Sequence, residues 1–209
     1  MFYEPPKNDH GMANDPFKAL VVPRPIGWIT TVNARGEVNL APFSFYNGVS
    51  DAPPMVMFCP GGSYGNSPAK HSLLNVKATG EFVVNMVSEK LKEAMNATAA
   101  PVEMGVNEMK LAGLEPVPSR LVKPPRVAAS PVALECKLFQ VVDLPSDGSD
   151  TPYAVVIGTV LGIHIDDSII KDGRIDTLAF KPVARLGYSE YTTTDNVWRM
   201  RRPDDPKYQ

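Results

Sequence analysis

Pro23-Arg24-Pro25-Ile26-Gly27-Trp28-Ile29-Thr30-Thr31-Val32 is the stretch on which the fold turns. Two prolines fix the backbone on entry, and the aromatic and β-branched residues that follow suit a pleated, half-buried surface. Asn33-Ala34-Arg35-Gly36 then supplies a polar turn, so residues 26–32 read as a strand entering a hairpin. Residues 38–46 form the return strand. Pro42 in its middle cannot complete a two-sided ladder, which puts this strand at an edge or a bulge.

Outward from the hairpin, the short apolar run 55–59, closed by Pro60-Gly61-Gly62, predicts a strand buried on both faces. Ser67-Pro68 carries a serine N-cap and a proline at the first helical position, which predicts a helix over 67–77 closed near Gly80. Residues 81–87 read as a strand and 88–99 as a second helix, with Glu89 in its first turn. A shorter helix is expected over 103–114. Five prolines, Pro116, Pro118, Pro124, Pro125 and Pro131, force an extended connector. Residues 132–144 and 153–165 then predict two long strands joined by a polar loop at 145–150, Asp172-Gly173 a turn, and 178–186 a last strand. Helices inserted among about seven strands exclude the regular alternation of a doubly wound α/β fold. The expectation is one mainly β domain over 1–209, an antiparallel barrel with peripheral helices, flanked by arms at 1–18 and 192–209.

Composition narrows the function. Apolar residues are 44% and charged residues 21% of the chain, enough for a real core, and the 21 prolines, roughly twice ordinary usage, limit helix. A net charge of −2, with basic residues scattered apart from Arg199, Arg201 and Arg202, disfavours a nucleic-acid partner. The apolar runs are far shorter than the ~20 residues of a spanning helix, so no membrane association is expected, and the polar, proline-bearing start lacks a secretory signal. Cys59 and Cys136 have no CxxC spacing and read as small buried hydrophobes in a reducing, cytoplasmic setting. His10, His71 and His164 share no ligand spacing, so no metal site is expected.

Neither a phosphate-binding loop motif nor G-x-G-x-x-G is present, and the acidic pairs Asp166-Asp167 and Asp204-Asp205 read as solvated surface. What stands out is the strand ending in Thr30-Thr31 beside a return strand carrying Ser44, Phe45 and Asn47, a set of amides and small hydroxyls suited to a flat ligand with polar edges. Each residue alone has an ordinary explanation, because paired threonines are common in strands and Ser44 or Asn47 can complete a turn. Lys70, His71, Ser72 and Asn75 at the first turn of the proposed helix add a cation, a hydroxyl and a positive dipole end, the chemistry a phosphate monoester needs. The two pieces together point to a phosphorylated aromatic cofactor.

On these residues the chain resembles the flavin reductase-like proteins with an FMN-binding split barrel, which include flavoredoxin. The resemblance spans about residues 16–191 and rests on Asp15-Pro16-Phe17-Lys18, the run at 23–31, Asn39-Leu40-Ala41-Pro42-Phe43-Ser44-Phe45, Lys70-His71-Ser72 with Asn75, the strand at 80–85, and Arg185-Leu186-Gly187 with Tyr191. It implies a homodimer with FMN near the subunit interface. It also implies flavin and ribityl contacts at Thr30, Thr31, Ser44 and Asn47, and a phosphate held by Lys70 and Ser72. His71 stands where the family has an aspartate, which loosens the phosphate site if that aspartate orients the lysine and changes little if it only caps the helix. The resemblance implies an NAD(P)H-dependent reductase of FMN or a reductase using bound FMN, with NADH or NADPH as donor. The alternatives are a flavoredoxin-like electron carrier with no nicotinamide substrate, and a flavin-binding barrel without turnover. No catalytic residue is assigned. His164 is the one histidine on a late strand that could reach a cleft over the flavin, although a strand histidine is more often merely half-buried.

Overall fold

The computed structural model describes residues 1–63, 67–145 and 152–200. All but the first residue of the expected loop at 145–150, together with Arg201, Arg202 and Asp204-Asp205, lies outside the described residues. Seven strands make one antiparallel sheet: β1 Gly27–Val32, β2 Val38–Phe43, β3 Tyr46–Asp51, β4 Pro54–Phe58, β5 Glu81–Met86, β6 Val132–Asp143 and β7 Ala154–Ile165. Their spatial order is β2-β1-β5-β6-β7-β4-β3. The described helices are short: α1 Phe17–Leu20, α2 His71–Thr79, α3 Lys92–Ala97, α4 Glu108–Leu111 and α5 Thr177–Phe180. The protein is mainly β, and no helix among the described residues is long and apolar enough to cross a membrane.

All six residues of β1 are buried, because both faces of this strand are covered. Alternation sends Ile29 and Trp28 to opposite sides. Ile29 joins Phe43, Phe58, Phe82, Val84 and Val156 with Leu73 and Val76 of α2. Trp28 joins Leu40, Met95, Met109, Val127 and Val183. The indole Nε1 of Trp28 donates to Thr98 Oγ1 at 2.8 Å, which ties the α3 end to the sheet. Phe43, Phe58 and Phe82 form a run of rings with centroids 5.3 Å apart at each step, inside the spacing favoured by aromatic pairs. They come from β2, β4 and β5, so strands distant in the ladder share one core.

Edge strand β3 also approaches the opposite end of the sheet. A Cβ at Gly27 would lie 2.7 Å from ring carbons of Tyr46, so only glycine lets the Tyr46 ring lie against β1. Tyr46 belongs to edge strand β3, and β1 is next to the opposite edge, which gives the sheet a strong curl. Pro42 lies on edge strand β2, the position its missing N–H requires.

Several elements differ from the sequence reading. The helix expected at 67–77 begins at His71: Lys70 is its cap residue, its carbonyl accepting from the Leu73 and Leu74 amides, while Ser67 Oγ donates to the Ala69 carbonyl in a local turn. The helix expected at 88–99 is a short 3₁₀ turn followed by α3, because Ser88 pairs with Pro182 and the Glu89 amide donates to Lys181. The helix expected at 103–114 shrinks to α4, capped by the Asn107 side chain. The return strand divides after Phe43, and its last part, with Asn47, belongs to β3. β4 is not buried on both faces, since alternate residues are partly exposed. The strand expected at 178–186 is α5, capped by Asp176 Oδ1 and closed by left-handed Lys181, followed by Val183–Arg185. Cys136 is buried and its thiol is pushed up to about 12 by burial and then by Glu135, as suits a small hydrophobe, but Cys59 is only half-buried.

Glu135 organises the proline-rich connector. Its fully buried carboxylate accepts from the amides of Arg120 at 2.8 Å and Leu121 at 2.6 Å, and pairs with His164 Nε2. His164 is thereby committed to this anchor. Burial works to raise the Glu135 carboxyl, yet the Arg120 amide, His164 and the Leu121 amide outweigh it and hold it below the ordinary range. A depressed carboxyl contributes stability above its unfolded pKa, and that contribution disappears as pH falls through the folded value. Urea unfolding therefore should show Glu135→Gln destabilised by about 1–3 kcal/mol at pH 7, with the gap to the parent protein closing as the pH is lowered below 4. A gap that stays constant with pH would contradict the anchor.

Candidate functional site

Polar groups from several elements converge where the head of α2 meets the end of β2. The first two amides of a helix have no partner inside it, and here they belong to His71 and Ser72. The pocket in front of them holds about 920 Å³ of empty space, its open mouth included. Lys18, Lys70, His71 and Ser72 supply its cationic and donor groups, while Phe43, Phe45, Val102 and Tyr153 make an apolar wall. Burial, and then the adjacent Lys70 charge, push the His71 imidazole below its usual range, so the ring is neutral at pH 7.

Arg24 shapes the other side. Its buried guanidinium donates to the carbonyls of Lys18, Val21 and Leu186, the last at 2.8 Å, reaches Ser44 Oγ at 3.5 Å, and lies 5.7 Å from the centre of the Phe45 ring. One side chain thus holds α1, the residue after β2 and the Arg185-Leu186-Gly187 segment together. Burial, then Arg185, lowers its pKa, although a guanidinium keeps its charge at any ordinary pH.

A buried polar chain forms the back of the pocket. Glu108, 4% exposed, accepts from the Leu40 amide at 2.9 Å, and Asn39 bridges the space between Glu108 and Ser72. Burial raises the Glu108 carboxyl despite the amide it accepts from. A carboxyl is an unexpected neighbour for a set of anion-binding donors.

Of the residues singled out in the sequence, Ser44, Phe45, Lys70, His71 and Ser72 come together around this one pocket. Thr30, Thr31 and Asn75 do not line it and have their side chains engaged: Asn75 Nδ2 donates to Thr31 Oγ1 at 3.0 Å, and Asn85 Nδ2 to Thr30 Oγ1 at 2.9 Å. Asn47 is exposed on β3, its Oδ1 accepting from the next amide. Glu108, Asn39, Lys18 and Cys59 line the pocket but were given no role in the sequence reading. Lys18 and Asn39 stand inside the quoted motifs. Nothing in the sequence separates Glu108 from an ordinary first-turn glutamate. Among the described residues no group of His, Cys, Asp and Glu is placed to hold a metal.

A profile of the flavin reductase like domain matches residues 19–182. The chain belongs to this flavin-binding family. It is 38% identical over 183 residues to an uncharacterized protein of Halalkalibacterium halodurans, covering 88% of this chain and 87% of that protein. The structure is similar to nitrilotriacetate monooxygenase component B from Bacillus cereus, with a TM-score of 0.85, 28% identity, and 96% and 98% of the two chains covered. It shares its fold with flavoredoxin of Desulfovibrio vulgaris, with a TM-score of 0.73, 19% identity, and 88% and 93% covered.

The buried Asn75–Thr31 contact is what docks α2 on β1, so its loss has a structural cost. Thr31→Val keeps the volume but leaves Asn75 Nδ2 without its acceptor, and chemical denaturation is expected to show a loss of about 1–3 kcal/mol. An unchanged midpoint would mean that α2 is held by packing alone.

Proposed function

We propose that the protein is an FMN-binding flavoprotein working as an NAD(P)H-dependent flavin reductase, with FMN either resident or exchanging. The observation that carries this reading is a single pocket where two unbonded helix amides, two lysines and a hydroxyl meet an aromatic wall. That donor set suits a phosphate monoester joined to a flat ring. Lys70, His71 and Ser72 are assigned to the phosphate, and Ser44 and Phe45 to the flavin side. Thr31 and Asn75 act from behind by fixing the helix on the sheet, Thr30 is held by Asn85 of β5, and Asn47 lies outside this assignment on the face of β3. Held by these residues, FMN would supply hydride and electron-transfer chemistry to the pocket. The protein's part is to bind, orient and shield.

The curled sheet supports the split-barrel reading of the fold. A homodimer is supported by the long β6–β7 ribbon, where Leu161, Ile163 and Ile165 point to one side of β7 and are all exposed, and Phe139 of β6 is 65% exposed. A second copy would cover these residues. The monooxygenase component of similar structure supports a role as a supplier of reducing equivalents, because inserting one atom of dioxygen requires two electrons for the other.

Titration of the apoprotein with FMN, FAD and riboflavin is expected to favour FMN. Lys70→Ala removes a charge-assisted contact of about 2 kcal/mol, equivalent to roughly thirtyfold in Kd for FMN, with much less change for riboflavin. Equal losses for both ligands would remove the phosphate from Lys70. Stopped-flow mixing of the flavin-loaded protein with NADH or NADPH separates the two functional readings. Rapid bleaching of the flavin band supports the reductase, and its absence supports a flavoredoxin-like electron carrier.

A further inference from the structure

The side-chain chain Glu108–Asn39–Ser72 has two hydrogen-bonding arrangements, which the proton on Glu108 tells apart, and only the turned-over one satisfies every group with Glu108 ionised. In the first, Asn39 Nδ2 donates to Ser72 Oγ at 3.0 Å but also lies 3.2 Å from the Leu40 amide, which donates to Glu108 Oε2, and Asn39 Oδ1 faces Glu108 Oε1, so this arrangement needs a proton between the two oxygens. In the second, the amide is turned over: Nδ2 donates to Glu108 Oε1 at 3.2 Å, and Oδ1 accepts from Ser72 Oγ at 3.0 Å and from the Leu40 amide at 3.2 Å. The arrangements differ in where the Ser72 proton points. With Glu108 protonated, Ser72 Oγ already accepts from Asn39 and its own O–H is released toward the pocket. With Glu108 ionised, that O–H is spent on Asn39 and the hydroxyl shows the pocket only lone pairs.

We propose that Glu108 is a positioning residue that acts through Asn39 to set the direction of the Ser72 hydroxyl, so that an anionic phosphate enters this pocket together with one proton. The inference rests on the phosphate placement proposed above and adds its linkage to pH. The proton comes from solvent and resides on Glu108 Oε1; the amide turns over, and Ser72 Oγ–H becomes a donor to a phosphate oxygen. Electrostatics favours the same direction, because a dianion and a buried carboxylate repel in a shared wall of low dielectric. Burial already raises the Glu108 carboxyl without a ligand, so uptake starts from a group poised to accept a proton.

The other titratable groups lining the pocket are Lys18 of α1, Lys70 and His71 at the head of α2, Cys59 and Tyr153. Strand β2, on which α4 packs, contributes no titratable side chain between Val38 and Phe43. Lys110 of the same helix is exposed, as is Glu103 before it, and Glu37 near Gly105 is engaged by Arg35 and Asn33. His71 also titrates toward tighter anion binding at low pH, so a pH profile of the parent protein alone does not isolate Glu108. A neutral amide at position 108 does.

Glu108→Gln reproduces the protonated arrangement at every pH, its Nε2 donating to Asn39 and its Oε1 accepting from Leu40. The test is the Kd of FMN, by fluorescence quenching from pH 6 to 9, for the parent protein and this variant, with riboflavin as the ligand lacking phosphate. Calorimetry in buffers of different ionisation enthalpy counts the protons taken up. His71 and the FMN phosphate titrate alike in both proteins, so the difference belongs to Glu108. Glu108→Gln is expected to bind FMN roughly three- to tenfold more tightly at pH 8, with a flatter profile and up to one proton fewer taken up, and to leave riboflavin unaffected. Ser72→Ala, with its folding checked by circular dichroism, is expected to lose most of the excess uptake as well. Parallel profiles for the parent protein and Glu108→Gln, whatever their offset, overturn the proposal while leaving the phosphate placement intact. Equal affinity of the parent protein for FMN and riboflavin overturns the placement and the proposal together.

Discussion

The docking of α2 on β1 and β2 is the constraint from which the pocket follows. Asn75 reaches Thr31, and three residues earlier Ser72 meets Asn39, so two polar contacts on one helix face bracket almost one turn. Thr31 and Asn39 are directly paired across β1 and β2, which makes the register of the hairpin and the position of the helix a single specification. Leu73 and Val76 fill the core between these contacts. With the helix so fixed, its unbonded amides open beside the end of β2, and Ser44 and Phe45 have only one place to stand relative to them. A slip of one residue in the hairpin would turn Asn39 to the other face and disconnect both.

That geometry explains why some of the site was legible in the sequence. Isoleucine, tryptophan, threonine and valine between Pro25 and Asn33 suit a strand by type alone, and Lys70-His71-Ser72 has the composition of an anion site wherever the helix starts. The start itself was hidden, since Ser67-Pro68 obeys the rules for a cap while Ser67 spends its hydroxyl on Ala69. β3 was hidden for the opposite reason. Tyr46–Asp51 is polar, with five exposed residues, and forms a strand because its backbone pairs with β4 at the sheet edge, which leaves no pattern in the side chains. Thr30, Thr31 and Asn75 were legible as polar groups on a strand and a helix but their partners were not, because a hydroxyl offered to a ligand and one consumed by a buried amide look the same in a sequence.

Glu108 and Arg24 show what sequence position conceals. Arg24 is the buried cation of the site, and its described partners are carbonyls, a hydroxyl and an aromatic ring. It orders three separate segments around the pocket mouth while adding positive potential close to the anion donors. Glu108 adds the opposite sign behind the same donors. A pocket with a permanent guanidinium on one side and a protonatable carboxyl on the other has a net charge that a single proton adjusts.

The central claim is that the head of α2 receives the phosphate of a flavin mononucleotide. A crystal structure of the FMN complex tests it most directly. The account predicts phosphate oxygens within hydrogen-bonding distance of the His71 and Ser72 amides and the Lys70 ammonium, with the flavin ring running toward Ser44 and Phe45. A phosphate bound elsewhere, with this helix terminus left to solvent, would contradict it.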